Sequence, residues 1–235
     1  MRVAIIENMK ISYPGQVGRA LAEASAAVTV IPAYAGAPLP QVDDYEALVV
    51  LGGEQNARDD QKHPYLADLS ALMRSFGDAG KAVLGICLGS QLLARAYGGD
   101  NLIGTAPEFG WRVIEKTEHG KSDPVFSAVS DSFLSFQWHD DTFTLPQGAV
   151  HLAENGAARH QAFRLGRAAY GFQFHFEADR NVVDDWKAAF PDVIERKEPG
   201  WLERHSALAE THGVASDEAG LAIARAWVAQ IRSWS

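Results

Sequence analysis

Residues 82–99 read AVLGICLGSQLLARAYGG, and the fold follows from this stretch. Ala82 to Ile86 is an apolar run, as expected of a strand covered on both faces. The chain turns through Gly85-Ile86-Cys87-Leu88-Gly89 and continues as Ser90 to Tyr97, a helix-like run with Leu92, Leu93 and Ala96 on its apolar side. Gly98-Gly99 ends that helix. Strand, sharp turn and helix, with a nucleophile-capable side chain between two glycines, form a nucleophile elbow in which Cys replaces Ser. The turn is strained, and glycines flank it to avoid Cβ clashes. A thiol placed there sits at a helix N-terminus, where the dipole favours thiolate. Cys87 is the chain's single cysteine. A lone cysteine is commonly a small core hydrophobe; the elbow makes this one a candidate nucleophile.

Working outward, the same alternation recurs. Arg2 to Ile6 is a short buried-type strand, Gln16 to Ala27 an Ala-rich helix, and Val28 to Ile31 a second strand. Pro32 to Pro40 reads as a loop. Ala47 to Leu51 is a third strand, stopped by Gly52-Gly53, and from Pro64 a helix runs to about Phe76. Strands alternating with helices predict a mostly parallel central sheet flanked by helices, an α/β fold. After Asn101 the pattern changes. Gly110–Glu115, Phe133–Trp138, Val150–Ala153, Gln161–Arg164 and Ala169–Phe174 read as strands separated by turn residues, an antiparallel β section in the second half. Asp179 to Phe190 returns to helix, Pro191 to Gly200 reads as a charged connection, and Ser216 to Ile231 as an amphipathic helix. No repeat interrupts the 235 residues, so one domain over 1–235 is the simplest account.

Composition narrows the function. Hydrophobic residues make up 47% and charged residues 22%, as in ordinary globular proteins. Lys+Arg number 21 against Asp+Glu 30, a formal charge of −9, which argues against nucleic-acid binding. A single cysteine rules out an internal disulfide and suits a reducing compartment. MRVAIIENMK is too short in apolar core for a signal peptide, and no later run could span a bilayer. A cytoplasmic enzyme or binding protein is expected, with no membrane partner. His139, Asp140, Asp141 and His151 match no established metal-ligand spacing, so no metal is expected.

A cysteine nucleophile needs a base, and the base an orienting group. In Tyr170-Gly171-Phe172-Gln173-Phe174-His175-Phe176-Glu177 the phenylalanines alternate with polar residues at strand periodicity, which puts His175 and Glu177 on one face. Glu177 can then accept the imidazole Nδ1–H and present Nε2 to the thiol; a plain surface His–Glu pair is the alternative. Acyl transfer also needs N–H donors for a developing oxyanion. Leu88, directly after the nucleophile, and Gly53, in the loop after the third strand, are the candidates, although Gly-Gly also makes a plain turn.

These residues resemble the class I glutamine amidotransferase family. Its G-x-C-x-G-x-Q elbow stands here as Gly85-Ile86-Cys87-Leu88-Gly89-Ser90-Gln91, and its H-x-E as His175-Phe176-Glu177. Leu51-Gly52-Gly53 matches its glycine-rich oxyanion loop, and the resemblance covers about Val3 to Arg180. Trp138-His139-Asp140-Asp141-Thr142-Phe143 and Gln161-Ala162-Phe163 make it most similar to a stand-alone branch like the glutaminase domain of GMP synthase. Glu54, Ser90, Phe176 and Asp140 depart from the family's common residues and touch pocket shape. The resemblance implies a flavodoxin-like sheet and a Cys87–His175–Glu177 triad with a Gly53/Leu88 oxyanion hole. It also implies a γ-glutamyl pocket lined by Gly52, Gln91 and His139, and no cofactor. The implied reaction is hydrolysis of the γ-carboxamide of glutamine through a thioester on Cys87, ammonia passing to an acceptor on a synthase partner. Two alternatives stand beside it: a self-contained γ-glutamyl peptidase or hydrolase, and a non-catalytic binding domain of the same fold.

Overall fold

The computed structural model describes residues 1–232. In chain order these form β1 (Arg2–Glu7), α1 (Gly15–Glu23), β2 (Ala27–Pro32), β3 (Ala47–Val50), α2 (Tyr65–Asp78), β4 (Ala82–Ile86) and α3 (Leu88–Ala96). There follow β5 (Asn101–Leu102), β6 (Glu108–Lys116), α4 (Glu118–Ser122), β7 (Ser132–His139), β8 (Thr142–Phe143), β9 (Val150–Glu154), β10 (Ala162–Leu165) and β11 (Ala169–Phe172). Four helices close the described chain: α5 (Arg180–Ala189), α6 (Pro191–Lys197), α7 (Trp201–Leu208) and α8 (Val214–Arg232).

Nine strands make one mixed sheet in the order β2-β1-β3-β4-β11-β10-β9-β6-β7. Neighbours from β2 to β11 run parallel, and those from β11 to β7 antiparallel. β3 and β4 are apolar without interruption because both faces are covered. On one face Val3, Ile5, Val49 and Leu84 pack on Val17 and Leu21 of α1 and on Ile223, Trp227 and Ile231 of α8. On the other, Ile6, Leu48, Val50 and Val83 pack on Leu69, Met73 and Phe76 of α2 and Leu92 and Leu93 of α3. Each such side chain contributes about 1.5–3 kcal/mol by leaving water. A third, aromatic cluster holds α5–α7 against the antiparallel half, with Phe109, Trp111, Phe136, Trp186 and Trp201 at its centre.

Three local expectations need correction. Pro191 to Gly200 is not a plain connection: Pro191 takes the first-turn position of α6, and Ile194 anchors that helix in the aromatic cluster. The helix expected over 16–27 stops at Glu23, because Ser25 takes a positive φ of 53° and the chain turns back into β2. The last central strand ends at Phe172 rather than Phe174, and residues 173–177 bend away from the sheet edge. His175 N–H still donates to Phe136 O at 2.8 Å, as an isolated bridge to β7. Local sequence also leaves α7 and the π-turn Ala209–Gly213 unassigned; they run continuously into α8. Among the described residues no helix is long and apolar enough to cross a membrane.

This topology places the candidate residues. β3, β4 and β11 lie side by side and parallel, with Val50 beside Gly85 and Ile86 beside Phe172. The segments leaving their carboxyl ends carry Gly52-Gly53, Cys87 and His175. In open α/β sheets that is where ligands bind.

Candidate active site

Cys87 stands alone between β4 and α3, with φ 51° and ψ −109°. A non-glycine residue there carries backbone strain of about 1–3 kcal/mol, and the surroundings hold it. Its N–H donates to Phe172 O at 2.8 Å, while its carbonyl accepts from Ser90 N–H at 3.0 Å and Ser90 Oγ at 2.7 Å. A Cβ on Gly89 would collide with the Val50 carbonyl, and one on Gly85 with the Gly89 carbonyl. The elbow is therefore pressed against β3, a packing that only glycines allow. The thiol is buried and unbridged and donates to Trp138 O at 3.7 Å.

His175 Nδ1 donates to Glu177 Oε1 at 2.7 Å, with both side chains buried. Glu177 Oε2 has no hydrogen-bond partner among the described residues, so within the protein this carboxylate is committed to the imidazole. Burial works against a charged imidazole, but Glu177 and Cys87 on its two sides outweigh burial and raise its pKa to about 10. Cys87 contributes chiefly by charge. The imidazole therefore holds its proton more tightly than an ordinary histidine does.

Gly52 lies directly against this pair: a Cβ there would stand 3.0 Å from His175 Cε1 and 3.4 Å from Cys87 Cβ. The Leu51–Gly53 loop is fixed from the β1–α1 segment. Asn8 Nδ2 donates to Leu51 O at 2.7 Å, and Ser12 Oγ to Gly52 O at 3.2 Å. Tyr65 OH donates to Asn8 Oδ1 at 3.2 Å, and burial pushes that hydroxyl's pKa up to about 12. Among the described residues, the N–H groups of Gly53 and Leu88 are taken up by no other group. Both residues line the cavity that holds Cys87.

Gln91 and His139 line the same cavity, each tied to the protein. Gln91 Nε2 donates to Gln173 Oε1 at 3.3 Å. His139 Nδ1 donates to Asp141 O at 3.0 Å, and its Nε2 faces Glu108 Oε2 at 3.1 Å. Glu108 also accepts from Gln161 Nε2 and Asn155 Nδ2, both at 2.6 Å. With both ring nitrogens engaged, His139 offers the cavity ring surface and no free basic nitrogen. Of these two histidines, His175 is the one that holds a carboxylate on Nδ1.

The cavity measures about 690 Å³. Its far wall is aromatic: Trp186 meets His175 edge-on with ring centroids 5.1 Å apart, and Trp138 meets both Trp186 and Phe190. Trp186 is anchored by its indole N–H donating to Ile11 O at 2.9 Å. Trp186, Phe190, Asn8 and Glu108 have no signal in local sequence, because their neighbours arrive from distant segments; it is the β6–β7 register that sets Glu108 directly across from His139.

The chain is similar to known proteins in sequence and in fold. The glutamine amidotransferase class-I family model matches residues 5–185. The chain is 34% identical over 155 residues to the glutamine amidotransferase-like protein YfeJ of Salmonella typhimurium, covering 64% of this chain and 65% of that one. It thus spans somewhat less than two thirds of that relative. It is 30% identical over 142 residues to a glutamine-hydrolysing GMP synthase subunit from Archaeoglobus fulgidus, covering 60% of this chain and 70% of that one. A crystal structure of a glutamine amidotransferase from Thermotoga maritima superposes with a TM-score of 0.83 at 29% identity, covering 97% of this chain and 98% of that one. An elbow cysteine beside a Glu-oriented histidine, on this sheet and with this match, means that the chain belongs to the class-I glutamine amidotransferase family.

Proposed function

We propose that the protein hydrolyses the γ-carboxamide of glutamine, or of a related γ-glutamyl compound, through a thioester on Cys87. The observation that carries this reading is His175, hydrogen-bonded at Nδ1 to buried Glu177 and coupled on its other side to Cys87. His175 takes the thiol proton, and Cys87 Sγ attacks the amide carbon. The C–N bond breaks as His175 returns the proton to the leaving nitrogen. Water, deprotonated by the same imidazole, then cleaves the thioester to glutamate and restores the thiol. Gly53 and Leu88 N–H stabilise the oxyanion of both steps, each donor worth about 10²–10³ in rate. Gly52, Gln91 and His139 shape the wall for the γ-glutamyl group.

Residues 1–235 work as one amidotransferase-like unit, and a reducing compartment such as the cytoplasm suits its dependence on a free thiol. The name of the Archaeoglobus relative supports a synthase partner that receives the ammonia. A γ-glutamyl peptidase or hydrolase acting without a partner is the second reading, favoured by the aromatic wall beside His175. Glutamate release from glutamine and γ-glutamyl compounds, with Cys87→Ala as control, tests the mechanism. The variant is expected to lose about 10⁴-fold or more in kcat; release that survives it would remove Cys87 from the reaction.

A further inference from the structure

Resting on the thioester reading above, the geometry points to a leaving-group subsite: the site takes γ-glutamyl amides whose nitrogen carries an uncharged, apolar substituent of about aromatic size. In acylation the proton on His175 goes to the departing nitrogen, so the leaving group must lie on the His175 side of Cys87. What stands beside the His175 ring is largely aromatic, with the Lys197–Asp140 pair at its border. Trp186 covers the His175 ring at 5.1 Å and 77°. Trp138 meets Trp186 at 5.7 Å and Phe190 at 5.8 Å, both nearly perpendicular. Val193 follows on α6, and all four residues line the cavity. Departing ammonia gains nothing from indole and phenyl surface, whereas a carbon body is desolvated by it.

Two further observations support the assignment. The family model ends at residue 185, so Phe190 and Val193 belong to a part of this chain outside the matched core. Lys197, at the end of α6, pairs with Asp140 directly after β7, which ties the wall across the cavity as a fixed surface. Both lysines lining the cavity are paired, Lys197 with Asp140 and Lys62 with Asp59, so a carboxylate on the substituent would meet no free lysine. The cavity, at about 690 Å³, lies in the range of about 300–1,000 Å³ that holds drug-sized ligands.

The test is a kcat/KM comparison of glutamine, γ-glutamylbenzylamide and γ-glutamylphenylalanine with the whole protein. Ammonia and benzylamine are of closely similar basicity, so the first pair reads packing rather than leaving-group ability. One methylene in an apolar pocket is worth about 10- to 200-fold; the benzylamide is expected to exceed glutamine by at least about tenfold and to exceed the phenylalanine derivative. Phe190→Ala is expected to lower the benzylamide-to-glutamine ratio at least about fivefold; being internal, this ratio is insensitive to lost folded protein. Turnover in which glutamine or the phenylalanine derivative is preferred, or a ratio unmoved by Phe190→Ala, overturns this proposal alone. No turnover of any substrate, with Cys87 unlabelled by a γ-glutamyl electrophile, overturns the thioester reading and this proposal with it.

Discussion

Glu177 and Glu108 are both buried carboxylates beside a histidine, and their different company gives them different work. Among the described residues the Glu177 carboxylate bonds to His175 alone, and with Cys87 it raises the imidazole's pKa to about 10 against the effect of burial. His175 can therefore act as an acid up to that pH, and the alkaline limb of kcat/KM is expected near 10. Glu177→Gln should move that limb to lower pH, measured as a pH–rate profile. A limb that stays in place would mean that Glu177 does not hold the charge on His175. The same coupling affects stability. Protonated His175 favours the folded state, a contribution fully present below the ordinary value of 6.5 and lost as pH rises through about 10. Glu108 instead accepts from Gln161 and Asn155 as well as facing His139. Glu108→Gln would set an amide NH₂ against donors. It should cost about 1–3 kcal/mol in urea unfolding and leave the alkaline limb where it is.

At the scale of elements, the elbow and α6 are built on opposite principles. The elbow is rigid because backbone meets backbone: α3 begins where Gly89 touches the Val50 carbonyl. Gly89→Ala must push α3 from β3, so it should cost several kcal/mol, about 2–4, and most of the activity. A fully active Gly89→Ala protein of unchanged thermal midpoint would contradict that packing. α6 is held by side chains, through Ile194 below and Lys197–Asp140 above. Asp140→Ala should change stability by less than about 1 kcal/mol, as exposed pairs do, while raising KM several-fold by freeing the wall; steady-state kinetics beside urea unfolding separates the two effects. The difference in legibility follows. The elbow announces itself in Gly85, Cys87 and Gly89, whereas Pro191 and the charges of α6 read equally as loop until Ile194 finds its pocket.

Across the whole molecule, the elbow and the His175 segment meet where the sheet changes character. β4 and β11 are the last parallel pair, and antiparallel pairing begins at β10. The segment after β11 leaves the regular ladder but stays tied to it, Gln173 N–H donating to Gln161 O and His175 N–H to Phe136 O. Under that junction Trp227 of α8 is fully buried among Ile5, Leu84 and Phe172, far from the chemistry in sequence. Trp227→Ala should destabilise the protein by about 3–5 kcal/mol in urea unfolding. A change below about 1 kcal/mol would show that α8 is not part of the core.

The sequence by itself determined the alternation of strands and helices, the shift to an antiparallel second half, the elbow and the His-x-Glu pair. Each of these is written in residues a few positions apart: apolar periodicity, glycines at a crowded turn, a histidine and a carboxylate two residues from one another. His175 and Glu177 meet although the strand expected to carry them stops at Phe172, because a short bend can bring i and i+2 together as a strand face does. Only the tertiary structure decided that His139 has both ring nitrogens engaged, since this depends on Glu108 arriving across the β6–β7 register. It also decided that Asn8 and Ser12 hold the Gly52 loop, and that Trp138, Trp186 and Phe190 form one wall. Such contacts join segments far apart along the chain, and no local pattern encodes them because they exist only once the sheet has brought those segments together.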